Sequence, residues 1–127
     1  MLPESARMAR ILVADDAASI RLLVKRYLQA DGHEVVEAED GLAAYECGVS
    51  DDIDLAVLDQ LMPGMKGIDV LHKWRQEGKT FPVVVLSGVD DEATVISSLD
   101  MGAADYVRKP FSPGELKARV ERFLTTG

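Results

Sequence analysis

Five short runs of β-branched and aliphatic residues recur along the chain: "RILVAD" (10–15), "EVVEAE" (34–39), "DLAVLD" (54–59), "PVVVLS" (82–87) and "ADYVRK" (104–109). Each is followed by a stretch of helical periodicity rather than by a tight turn into another strand. This alternation rules out a hairpin architecture, because helices are the natural crossover between parallel strands. Right-handed crossovers then give one parallel sheet covered on both faces. "ILVA", "LAVL" and "VVVL" are apolar throughout, as central strands must be; "EVVEAE" is more polar and suits an edge. The expected class is α/β, a single doubly wound domain.

The intervening patterns assign helix faces. From Ser19 onward, Ile20, Leu23, Val24, Tyr27 and Leu28 fall on one apolar stripe, and Gly32 stands where a helix stop belongs. "KGIDVLHKWRQEG" places Ile68, Leu71 and Trp74 together and closes on Gly78, with Trp74 expected against the sheet. "ATVISSLDMG" offers Val95, Ile96 and Leu99. The last helix opens on Ser112 as N-cap, Pro113 in the first position and Glu115 completing a capping box, with Leu116, Val120, Phe123 and Leu124 as its core face.

At 127 residues the chain is one domain, read as an N-terminal extension over 1–9 and a folded unit over 10–127. The net charge of -8 argues against direct nucleic-acid binding, which needs a basic stripe. Cys47, the single cysteine, is expected to be packed and inert, and no segment has the length of a membrane span. The expected compartment is the cytoplasm.

In an open α/β sheet, ligands bind beyond the carboxyl ends of the strands. The first run ends in Asp15 and Asp16, the third in Asp59, the fourth in Ser87 followed by Gly88, and the fifth in Lys109 followed by Pro110. Three carboxylates, a hydroxyl and an ammonium are thus expected at one edge. An all-oxygen set with room for water suits Mg²⁺, and Mn²⁺ as a substitute. A cation also makes the adjacent Asp15 and Asp16 tolerable by neutralising their repulsion. A carboxylate can act as a nucleophile and form an aspartyl-phosphate, with Lys109 and Ser87 compensating the phosphoryl oxygens. Singly, each residue has a blander reading: Asp16 as a helix N-cap, Asp59 as a turn starter, Lys109 as a surface charge. Their joint placement at four strand ends favours the site. His33 and His72 have no ligand-like partner in the sequence and are expected to be packed or solvated.

The stretches "ILVADD", "LDQLMPGMKG", "VVLSG" and "GAADYVRKPF" resemble the receiver domain of bacterial two-component response regulators, from about Arg10 to Leu124. The resemblance implies a flavodoxin-like (βα)5 fold with strand order 2-1-3-4-5. It implies Asp59 as phosphoacceptor and Mg²⁺ held by Asp15, Asp16, Asp59 and the backbone carbonyl of Leu61. Lys109 and Ser87 would bind the phosphoryl group, and Gly88 would leave room for the donor. Ser87 and Tyr106 would form the switch, remodelling the face made by the fourth helix, fifth strand and fifth helix. Leu61 and Val89 occupy the positions that tune phosphoryl lifetime, and the Lys109–Pro110 bond is the counterpart of one that is cis in the family. The implied partners are a histidine kinase or histidine phosphotransfer protein, a downstream protein or linked effector, and a second copy through the activated face. Arg21 and Lys25 are candidates for kinase recognition. Gln60 departs from the family, where an apolar residue is usual, as does Lys66, where Asp or Asn is common.

Two alternatives share these motifs. "ELKARVERFL" resembles the last receiver helix of regulators that carry a winged-helix DNA-binding domain, which dimerise on phosphorylation. A Mg²⁺-dependent phosphohydrolase with an Asp nucleophile wants a second carboxylate two residues on, where this chain has Leu61. The expected domain is therefore no enzyme beyond its own phosphorylation and dephosphorylation at Asp59.

Overall fold

The computed structural model describes residues 9–88 and 92–124, apart from the side chains of Glu92 and Thr94. Residues 1–8 of the expected extension, Val89 and the last three residues lie outside them. In chain order the elements are β1 (Arg10–Ala14), α1 (Ala18–Ala30), β2 (Glu34–Ala38), α2 (Gly41–Ser50), β3 (Leu55–Asp59), α3 (Gly67–Gln76), β4 (Val83–Ser87), α4 (Glu92–Asp100), β5 (Asp105–Arg108) and α5 (Pro113–Leu124). All strand pairs are parallel, in the order β2-β1-β3-β4-β5. The expected architecture and strand order are both present.

The strand pleat divides the core in two. Leu12, Ala14, Ala56 and Leu58 turn toward α2 and α3, where they meet Val70, Leu71 and Trp74. Ile11, Val13, Leu55 and Val57 turn toward α1 and α5, where they meet Val24, Leu28, Leu116 and Val120. Both β3 and β4 are buried along their whole length, whereas β2 is only partly covered, as an edge strand is. Each fully buried Leu, Ile or Val contributes about 1.5–3 kcal/mol relative to exposure, so these two layers dominate the folding free energy. Trp74 is fully buried; its Nε1 donates to the Tyr45 carbonyl at 3.1 Å and its ring meets Phe81 edge-on at 4.9 Å.

The helix stops sit where the glycines predict, with Gly32 and Gly78 at φ 91° and 82°, a region an L side chain enters only with strain. Ser112 caps α5 by accepting the Glu115 amide at 3.0 Å, while the Glu115 carboxylate turns to Arg119 at 3.5 Å. Three helix faces differ from expectation; in α3 the buried face is Val70, Leu71 and Trp74, with Ile68 only partly buried. In α1 only Val24 and Leu28 are buried, while Leu23 and Tyr27 are 40% and 41% exposed. Positions one residue back lie about 100° around the helix, on the flank of a stripe that one contact surface covers. In α4, Ile96 and Leu99 are about half exposed and Ser98 is fully buried. A small residue at the contact lets the helix lie close to the sheet, and the larger side chains are turned outward.

Candidate functional site

Asp15 follows the last residue of β1 and is fully buried, its amide donating to the Ala38 carbonyl across the β1–β2 edge at 3.1 Å. Its Oδ1 accepts the Ala17 amide at 2.9 Å and its Oδ2 accepts Lys109 Nζ at 2.9 Å. Arg21 reaches back from α1 to the Asp15 carbonyl at 2.7 Å and also pairs with Glu37, which Lys25 contacts as well. The two basic residues named as candidates for kinase recognition are both engaged with the chain itself. Asp16 is exposed. The N-cap of α1 is Ala17, without any side-chain cap, so the capping reading of Asp16 is overturned.

Asp59 ends β3, is 4% exposed, and holds Oδ1 3.3 Å from Lys109 Nζ. Lys109 follows β5, and its amide donates to the Ser87 carbonyl at 2.8 Å, tying the ends of β4 and β5 together. Ser87 is fully buried, and the Lys109–Pro110 peptide is cis. Carboxylate oxygens of Asp15, Asp16 and Asp59 lie within 4.8 Å of one another. The topology thus brings together four of the residues singled out from sequence, with Ser87 at the adjacent strand end.

The electrostatics are those of a site short of positive charge. Burial, then the charge of Asp15, push the Asp59 carboxyl up to about 6 against the opposing pull of Lys109. On Lys109, burial favours the neutral amine, but its contacts with Asp15 and Asp59 outweigh this and raise it. The ammonium stays charged and is shared between two acids. A third, exposed carboxylate makes an all-oxygen set that could hold a hard divalent cation.

The remaining candidates lie around this centre. Leu61, two residues past Asp59, is 54% exposed at the rim. A Cβ on Gly88 would meet only Lys109 Cβ, at 4.0 Å, so the space there admits alanine as well as glycine. Tyr106, three residues before Lys109, is half-buried against the α2/α3 core. Cys47 is partly buried, and burial with nearby Asp51 and Glu46 raises its thiol, which fits an inert packed cysteine.

Two features escaped the sequence reading. His33 is buried and, contrary to expectation, has ligand-type neighbours: donor atoms of Asp31, His33 and Glu121 converge within 4.8 Å. Its Nδ1 accepts the Ala9 amide at 3.2 Å, so the neutral ring carries its proton on Nε2, toward Glu121. A metal on Nε2 would need that proton gone, so the arrangement is a packed hydrogen-bonded histidine. The second is Gln60, buried beside Asp59, whose Oε1 accepts the Ile68 amide at 2.8 Å. Only its departure from an apolar pattern marked it in the sequence.

Comparison with known proteins agrees with this geometry. The family described as the response regulator receiver domain matches residues 11–121. The alkaline phosphatase synthesis transcriptional regulatory protein PhoP of Bacillus subtilis is 40% identical over 115 residues, covering 91% of this chain and 48% of that protein. The regulatory protein VanR of Enterococcus faecium is 40% identical over 115 residues, covering 91% and 49%. The chain spans about half the length of the curated relatives it matches. Among solved structures, the receiver domain of the Francisella response regulator 1452 superposes with a TM-score of 0.87 at 34% identity, covering 91% of this chain and 96% of that one. The receiver domain of NtrX from Brucella abortus gives 0.83 at 34%, covering 92% and 99%. No helix among the described residues is long and apolar enough to cross a membrane.

Proposed function

Because the chain belongs to the response regulator receiver domains, we propose that it accepts a phosphoryl group on Asp59 from a histidine kinase or histidine phosphotransfer protein. The observation that carries this reading is the buried Asp59 at 3.3 Å from Lys109, with Asp15 and Asp16 within 4.8 Å. An Asp59 oxygen attacks phosphorus, the bond from phosphorus to the donor nitrogen breaks, and that nitrogen keeps the electron pair and takes a proton. Lys109 leaves its shared position to pair with the phosphoryl oxygens, and the Ser87 hydroxyl donates to them. Asp15, Asp16, Asp59 and the Leu61 carbonyl would hold Mg²⁺. When bound, Mg²⁺ supplies charge neutralisation at the acid cluster and on the transferring group. Beyond this self-modification no catalytic turnover is proposed, and the domain works in the cytoplasm.

Phosphorylation shifts a two-state equilibrium in which Ser87 moves toward the phosphoryl group and Tyr106 turns inward behind it. The face of α4, β5 and α5 then changes, and it carries the exposed Ile96 and Leu99. A second reading concerns output: the domain serves a longer DNA-binding transcriptional regulator of the winged-helix type and dimerises through this face. The half-length match to transcriptional regulators favours it. The test is incubation with Mg²⁺ and acetyl phosphate, then intact mass beside Asp59→Asn. One added phosphoryl mass in the wild type alone is expected; none, or an equal gain in both proteins, overturns the assignment. Sizing the same sample separates a dimerising receiver from a monomeric one.

A further inference from the structure

We propose that Gln60 is a positioning residue that fixes the loop from Gln60 to Lys66, and with it the carbonyl of Leu61, for cation binding. This inference rests on the reading of Asp59 and Leu61 given above. The first amides of a helix lack partners within it and need acceptors from elsewhere. The N-cap of α3, Lys66, provides no side-chain cap. Both of the first two amides of α3 go instead to Gln60: Gly67 donates to its backbone carbonyl at 2.9 Å and Ile68 to its Oε1 at 2.8 Å. The Gln60 amide in turn donates to the Leu86 carbonyl of β4 at 2.8 Å. One residue, 6% exposed, thereby links β4, the end of β3 and the start of α3.

The junction is also tight. A Cβ on Gly67 would lie 2.4 Å from the Asp59 carbonyl oxygen, so the first turn of α3 rests directly on the backbone of the acceptor. An apolar side chain at position 60 fills the same space but leaves the Ile68 amide without its acceptor. The loop that carries Leu61 is then held at two points rather than three. Supports of this kind act on metal affinity through ligand placement rather than contact, typically by about tenfold or more.

The test compares Gln60→Leu and Gln60→Met with Val70→Ala, which loosens the buried face of α3 and leaves all three Gln60 hydrogen bonds in place. Affinity for Mg²⁺ alone is measured by calorimetry where all variants are folded, with melting temperature alongside. Gln60→Met serves if Gln60→Leu fails to fold. Weakening of about tenfold in the Gln60 variants, with wild-type affinity in Val70→Ala, is expected. Unchanged affinity in the Gln60 variants, or equal weakening in all three, reduces Gln60 to a structural residue and overturns the proposal. Failure of wild type to bind Mg²⁺ overturns it together with the cation seat. Failure of Asp59 to take a phosphoryl group sinks the acceptor reading and leaves the Mg²⁺ comparison to decide Gln60 on its own.

Discussion

Lys109 Nζ stands 3.3 Å from Asp59 Oδ1, yet the acid is raised to about 6, above its ordinary 3.8. The ammonium is closer to Asp15, at 2.9 Å, and cannot neutralise two buried carboxylates. Burial and the charge of Asp15 prevail. Without a cation, the two buried acids are one positive charge short.

That shortage makes the metal-free protein pH-dependent in a set direction. Asp59 binds its proton more tightly when folded than when unfolded, so its contribution to stability falls as pH rises from about 4 to about 6 and then levels off. For a residue 4% exposed, the cost at neutral pH is on the order of 3 kcal/mol. Asp59→Asn removes it. In urea denaturation with chelator present, the variant is expected to exceed wild type by that order at pH 7.5 and to match it near pH 4. A stability difference that stays constant across this range would refute the assignment of burial and Asp15 as the cause. Mg²⁺ narrows the gap at pH 7.5 by stabilising wild type.

Much of this site was legible in the sequence because strand ends are one-dimensional facts. Once the alternation fixes a parallel sheet, Asp15, Asp59, Ser87 and Lys109 must fall at one edge whatever the helices do. Helix faces were less legible, since Leu23 and Tyr27 satisfy the same spacing as Val24 and Leu28, and only the width of the packed contact separates them. The His33–Glu121 pair was beyond reach: its partners are 88 positions apart and meet only after α5 docks on α1. Gln60 was visible as an anomaly, but its role as a cap appears only when α3 is placed.

Close backbone approach gives a second prediction. Alanine at Gly67 would bring Cβ within 2.4 Å of the Asp59 carbonyl oxygen, and alanine at Gly48 would bring it within 2.3 Å of the Trp74 indole. Both variants are expected to lose at least about 2 kcal/mol of stability by overpacking. They are expected to differ in function: Gly67→Ala displaces the end of β3 and should weaken Mg²⁺ binding, while Gly48→Ala strains the Trp74 layer and should leave affinity at wild-type level. Urea midpoints and Mg²⁺ titrations on the two variants check both halves.

His33 supplies a third. Its two ring nitrogens join the Ala9 amide to Glu121, linking the start of β1 to α5. His33→Phe keeps the ring volume and deletes both hydrogen bonds, at an expected cost of about 2 kcal/mol. Phosphorylation of Asp59 and Mg²⁺ affinity should not change, because the pair is remote from the strand ends that carry the acids. Zn²⁺ that raised the melting temperature of wild type but not of His33→Phe would instead make the Asp31, His33 and Glu121 cluster a metal site.

The fourth prediction concerns how long the phosphoryl group survives. Loss of an aspartyl-phosphate requires a water in line with the phosphorus–oxygen bond, and a polar side chain at the rim can orient and activate it. Leu61 is exposed at that rim and apolar, and Val89 is apolar by sequence. Neither can hydrogen-bond the water, so the phosphorylated state is expected to be long-lived. Replacing both, Leu61→Asn with Val89→Glu, supplies two groups able to hold the water, and an acceleration of about tenfold or more is expected, a modest share of what a positioned base contributes. Intact mass followed in time after removal of acetyl phosphate gives both decay rates directly. Equal rates would mean that access of water, rather than its orientation, limits hydrolysis in this domain.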